Sequence, residues 1–177
     1  MGPFDCASVT LEACRAVLGR LTEDDLGRPS PCAEYTVGQV GQHVLRSMAL
    51  LASVAGAAAG SAMEGSLEEQ VTASAEVAVA AWRRRGLGGS VAVGRSTLAA
   101  GLAVEIIPLE LLVHGWDIAQ ATGSGIDVPP EVAGYVLGRA RELVTPDKRG
   151  RSFAAEVPVR PEATALRRLI AFTGRPP

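Results

Sequence analysis

Aromatic residues are scarce in this 177-residue chain: they make up 4% of it, although 47% is apolar. The interior is therefore built largely from Ala and Val, and small side chains let helices approach one another closely. Histidine is scarcer still, with only His43 and His114 in the whole sequence. Cysteine is limited to Cys6, Cys14 and Cys32, an odd number without a C-x-x-C pair. That excludes both a disulfide framework and a thiolate zinc site, so reduced thiols are expected. Charge of neither sign dominates. The formal net charge is -2 with acids and bases interspersed, which leaves no footprint for a polyanion and removes nucleic acid from the expected partners. Long hydrophobic runs are missing too: the longest, around Met48 to Ala62, is interrupted by Ser53, Gly56 and Gly60 and is too short for a membrane span. The N-terminus carries Asp5 and lacks the basic-then-apolar order of an export signal, so the expected compartment is the cytoplasm.

What is present is helical periodicity. A chain of this length fits a single domain, residues 1–177, and the spacing of its apolar positions makes the expected fold all-α. Val9, Ala13, Ala16, Val17 and Leu21 define a first helix over Ser8–Leu21 with Ser8 as N-cap. Gly27, Pro29 and Pro31 make Thr22–Thr36 a loop, and Thr36 caps a second helix running from Val37 to the glycines at 56 and 60. The third, Ser66–Arg84, opens on the capping box Ser66/Glu69 and stops at Gly86, Gly88 and Gly89. Ser90–Val93 reads as a short extended piece, too brief to be claimed as a sheet. A fourth helix is predicted over Thr97–Ala121, with a kink or break just before Glu110, because Pro108 removes a backbone donor and crowds the carbonyl one turn back. Helices starting at Pro129 and Pro161 and reaching Val144 and Phe172 complete the set.

Both histidines fall inside predicted helices. Glu110 precedes His114 by four positions, so the two side chains stand one above the other, with Cβ atoms about 5–6 Å apart, and both can reach one ion. Metal–ligand bonds of about 2.0–2.2 Å need donors converging from at least two directions. His43, on another helix, is the remaining histidine and the third candidate ligand. Two histidines and one carboxylate leave a coordination position open, as in catalytic sites. Asp117 returns to the same helix face and is the candidate catalytic residue, either contacting metal-bound water or accepting the free N–H of a ligand histidine.

Blander readings exist for each of these residues. A Glu–His pair at this spacing is common by chance as a solvated pair, and a lone histidine is commonly a hydrogen-bonded core residue. The setting tips the balance: Glu110 lies in Ile106-Ile107-Pro108-Leu109-Glu110-Leu111-Leu112-Val113-His114, where an unpaired carboxylate among aliphatics costs several kcal/mol. Mixed His and carboxylate donors suit zinc first, and also nickel, manganese or iron. Cys32 follows a proline in a loop with no histidine beside it in sequence, so it reads as an unremarkable thiol. Arg83, Arg84 and Arg85 read as a solvated helix end, with an anion-binding role for them and Arg95 as the alternative.

Four stretches carry a resemblance that spans nearly the whole chain: Pro31-Cys32-Ala33-Glu34-Tyr35-Thr36-Val37, Gln42-His43-Val44, Glu110 to Ala119 with its His-Gly-Trp-Asp motif, and the tail from Glu156-Val157-Pro158-Val159 to Gly174-Arg175. The sequence resembles the actinobacterial proteins built on the metal-binding domain of mycothiol-dependent maleylpyruvate isomerase. That resemblance implies a DinB-like (YfiT-like) four-helix bundle with short additional helices, binding a divalent metal through His43, Glu110 and His114. It also implies mycothiol as cosubstrate, the metal lowering the thiol's pKa for attack on a small electrophile. The isomerase itself carries a further C-terminal domain and this chain ends without one, so the expected activity is a mycothiol-dependent S-transferase or isomerase other than the maleylpyruvate enzyme. Two further readings remain: a noncatalytic metal or small-molecule binding module with a regulatory role, and a helical scaffold that forms a homodimer through its Ala- and Gly-rich helices.

Overall fold

Asp5 sets where the first helix begins. Its Oδ2 accepts the Gly2 backbone N–H at 3.1 Å, and Pro3 fits a first-turn position where no N–H is needed. In the computed structural model, which describes residues 1–32, 35–58, 64–150 and 153–177, helix α1 therefore spans Pro3–Leu18 and starts ahead of the expected Ser8. Helix α2, Val37–Val54, opens where expected: Gln39 N donates to Thr36 Oγ1 at 3.4 Å and Thr36 N to Gln39 Oε1 at 2.8 Å. Helix α3, Leu67–Arg85, opens on the Ser66/Glu69 box. Gly60, and Ala33 and Glu34 of the first motif, lie outside the described residues.

The expected fourth helix is not one helix. Ser90–Val93 (β1) and Ser96–Ala99 (β2) form an antiparallel hairpin with Val91 opposite Leu98, followed by the single turn α4, Ala100–Ala103. Helix α5 runs from Ile106 to Ala121. Pro108 acts one turn earlier than expected. Its ring would collide with the carbonyl of Val104 in a continuous helix, so the chain breaks at Val104 and Glu105, and Pro108 sits in the first turn of α5 without kinking it. Helices α6, Pro130–Leu143, and α7, Ala165–Phe172, follow. The last is capped by Thr164, whose Oγ1 accepts the Arg167 N–H at 3.3 Å, and so begins at Ala165 and not at Pro161.

The protein is thus predominantly helical with one small hairpin. α5 is buried around almost its whole circumference. Ile107, Leu111, Ile118 and Ala119 join a core formed with α1, α2 and α3. Leu109, Leu112, Val113 and Trp116 join a second cluster with α6 and α7. A helix apolar on all sides belongs between two layers, and that is where Glu110 and His114 are carried. α1 packs on α5 and α3, and α2 on α3 and α5. Gly115 permits the α1–α5 approach: a Cβ there would lie 2.9 Å from Ile126 Cδ1 and 3.4 Å from Cys14 Cα. Among the described residues, no helix is long and apolar enough to cross a membrane.

Candidate metal centre

His43 on α2 and the Glu110/His114 pair on α5 meet at the floor of a cleft of about 820 Å³. His43 Nε2 lies 3.1 Å and His114 Nε2 3.7 Å from Glu110 Oε2. The two imidazole centroids are 4.8 Å apart at 74°. Glu110 Oε2 is shut off from solvent yet has no aligned hydrogen-bond donor among the described residues. The His43 approach is close enough for an ion pair, but its direction is not that of a hydrogen bond, so the contact is electrostatic. Two donors each about 2.1 Å from a tetrahedral ion stand about 3.4 Å apart, and the two observed separations bracket that value. The donor types and their convergence fit a divalent transition metal.

Behind His114 lies a charged chain, Asp117 and then Arg175, which meets the cleft again at Arg175. Asp117 is fully buried. Its Oδ2 faces His114 Nδ1 at 2.9 Å and accepts from Arg175 Nη2 at 2.8 Å, while Oδ1 accepts from Arg175 Nε at 2.6 Å. The Asp117 contact reserves Nδ1 for the carboxylate and turns Nε2 toward Glu110 and His43, the carboxylate–histidine arrangement that orients metal ligands. Arg175 arrives from the C-terminal tail because Gly174 turns the chain at φ +88. Burial pushes the His114 imidazolium down, but its bonds to Asp117 and Cys32 and the charges of Glu110 and Asp117 outweigh this and raise it to about 9. Burial likewise pushes the Glu110 carboxyl up, and the adjacent His43 and His114 overcome it and hold it at about 2.

All four residues singled out in the sequence are therefore neighbours. Sequence reasoning passed over two others. Cys32 Sγ lies with a His114 nitrogen and an Asp117 oxygen inside a 4.8 Å group, although no histidine adjoins it in sequence. Arg175 had no local signal, since its partner is 58 positions away. The cleft above is walled by Leu50, Val93, Leu98, Ile106, Leu109 and Val113, with Lys148 and Arg175 as its cations. Arg83, Arg84, Arg85 and Arg95 do not line it. Arg85 instead donates to the carbonyls of Gly86, Gly88 and Ser90, as a helix end would.

Residues 9–93 match the profile of the mycothiol maleylpyruvate isomerase N-terminal domain. That stretch holds Cys32 and His43 and ends before Glu110. Two uncharacterised proteins of Mycobacterium tuberculosis, from strains CDC 1551 and H37Rv, are each 30% identical over 183 aligned positions, covering 99% of this chain and 98% of theirs. No solved structure matches the chain. The matched profile and the full-length relatives together place the chain in the family of the mycothiol maleylpyruvate isomerase N-terminal domain.

Proposed function

We propose that His43, Glu110 and His114 hold one divalent metal ion, zinc first among the candidates, and that the protein uses mycothiol in S-transfer to, or isomerisation of, a small electrophile. The observation that carries the first half is Glu110 Oε2: buried, without a hydrogen bond, and faced by nitrogens from two helices. The second half rests on family membership. When bound, such a metal supplies Lewis acidity that deprotonates a coordinated thiol.

The chain's own residues do the rest. Asp117 fixes the His114 tautomer, and Arg175 holds Asp117, so both are positioning residues. The aliphatic wall of the cleft keeps water from a thiolate, and Lys148 at its edge favours a carboxylate on the thiol or the electrophile. The mutual packing of α1, α2, α3 and α5 supports a DinB-like four-helix core. We read residues 1–177 as one unit working in the cytoplasm, where the thiol is available.

Metal analysis of protein purified without added ions tests the centre: about one equivalent is expected in the wild type and none in His114→Ala. A metal-free wild type would overturn it. Loss of a model electrophile in the presence of mycothiol and zinc tests the activity. One observation favours a noncatalytic binding module instead: both Asp117 oxygens are engaged, which leaves no free carboxylate beyond the ligand Glu110 at the centre to act as a base among the described residues. Metal binding without turnover over a broad electrophile panel would establish that second reading.

A further inference from the structure

The lining of the cleft changes character along both helices that carry the candidate ligands. On α5 it consists of Ile106, Leu109, Glu110, Val113 and His114, one stripe at helical spacing. N-terminal to Glu110 the stripe is aliphatic. Ile106 precedes His114 by eight residues, about 12 Å at the helical rise of about 1.5 Å per residue. On α2 the lining passes from His43 to Leu50, seven residues or about 10 Å along the helix.

The hairpin supplies the remaining wall of this aliphatic part. In its antiparallel register Val91 opposes Leu98 and Val93 opposes Ser96, so these four side chains share one face. Val93, Ser96 and Leu98 line the cleft, and Val91 is buried. β1 also packs against α2. Leu98 and Ile106 pack against both core clusters, which puts the slot between α2, α5 and the hairpin at the seam where the clusters part. Leu50, 48% exposed, leaves an apolar side chain uncovered in this wall. The polar lining residues Lys148, Thr173 and Arg175 come instead from the C-terminal segment.

We infer that the slot bounded by Leu50, Val93, Leu98, Ile106 and Leu109 binds the alkyl chain of an amphipathic electrophile whose reactive end lies against His43, Glu110 and His114. The inference rests on the transfer reading above and adds the class of electrophile. The whole cleft, about 820 Å³, is of small-molecule size. An extended chain advances about 1.2 Å per bond, so about eight to ten carbons fill a slot of about 10–12 Å. A 2-alkenal is the simplest such molecule. The thiol sulfur bonds its β-carbon, the π pair of the C=C moves to the α-carbon, and that carbon takes the thiol's proton, so no oxidant or reductant enters.

The first measurement needs neither turnover nor metal. Straight-chain alcohols from butan-1-ol to decan-1-ol are titrated into the full chain by calorimetry, with and without zinc. Affinity is expected to rise about two- to fourfold per added methylene. Leu50→Glu should weaken octan-1-ol binding at least about tenfold, because it sets a charge against the chain. Val77→Glu, on α3 at a residue 51% exposed and outside the cleft, is the matched control and should leave it unchanged. Affinity that does not rise with chain length, or equal losses in the two variants, overturns the assignment. The second measurement follows oct-2-enal and but-2-enal in the presence of mycothiol and zinc. In the wild type kcat/KM should be at least about tenfold higher for the longer enal, and the ratio should fall in Leu50→Glu. Equal values for the two enals overturn the substrate class. Alcohol binding that rises with chain length, without turnover of either enal, overturns the transfer reading and leaves the slot as the site of a binding module.

Discussion

Arg175 and Asp117, 58 positions apart in sequence, are joined in the interior by two hydrogen bonds of 2.6 and 2.8 Å. The pair ties the C-terminal tail to α5 directly behind His114. The guanidinium fork matches a carboxylate with two parallel bonds, which a lysine cannot reproduce. Arg175→Ala leaves the Asp117 charge buried with only His114 beside it, and is expected to cost about 3–5 kcal/mol of stability. Arg175→Lys should recover only part of that. Urea unfolding of the metal-free proteins measures both; a loss below about 1 kcal/mol for the alanine variant would show that the tail is not anchored this way.

The metal-free protein should have a stability optimum on the acid side of neutrality. Glu110 is held down from 4.5 to about 2, so its contribution is complete above pH 4.5 and is lost as pH falls toward 2. His114 is raised from 6.5 to about 9, so its contribution is complete below pH 6.5 and is lost as pH rises toward 9. Both act together between 4.5 and 6.5. They share one contact, so their joint worth is a few kcal/mol and less than the sum of the two shifts. Metal binding must displace the His114 proton, and apparent metal affinity should therefore climb with pH up to about 9. Thermal melts and zinc titrations across this range check both slopes, and a pH-independent zinc affinity between 6 and 9 would contradict the assignment.

Of the three cysteines, Cys32 alone should react with a maleimide in the native, metal-free protein. Burial pushes the thiols of Cys6 and Cys14 up to about 12, and neither is accessible. Cys32 lines the cleft. Mass spectrometry should find one label before unfolding and three after it. Labelling of Cys14 on the same time scale as Cys32 would mean that the α1–α5 contact opens readily.

What the sequence made legible was local. The Thr36/Gln39 and Ser66/Glu69 boxes are read within four residues, and both open helices as expected. Glu110 and His114 follow from one helical turn, and His43 from being the only other histidine. Pro108 signalled a break, but its collision falls on the carbonyl four residues back, which moved the break to Val104 and Glu105 and freed Ser96–Ala99 to pair as a strand. Cys32 beside His114 and Arg175 on Asp117 are contacts between distant segments. Nothing in the residues flanking either one marks its partner. Only packing α1, α2 and α7 around α5 brings them to the same place.

Gly174 is the hinge on which that last contact depends. Its φ of +88 is a left-handed conformation, and a Cβ added there would lie 2.6 Å from Ala154 Cβ and 2.8 Å from Ala154 Cα and C. The obstacle is largely backbone and cannot swing aside as a flexible side chain would. The turn also lets Gly174 N and Arg175 N bond the Ala171 and Ile170 carbonyls at 2.9 and 3.2 Å, closing the C-terminus of α7. Gly174→Ala should therefore cost about 1–2 kcal/mol for the conformation and about 1–3 kcal/mol more for the displaced neighbour. Because the displacement pulls on Arg175, it should also weaken zinc binding about tenfold through Asp117 and His114. Gly56→Ala is the matched control: φ is +85 but none of the described residues lies within 4 Å of the added carbon, so only the conformational part should be lost and zinc affinity should stay unchanged. Equal effects of the two substitutions on stability and on zinc binding would remove the Ala154 contact, and with it the tail, from the support of the metal centre.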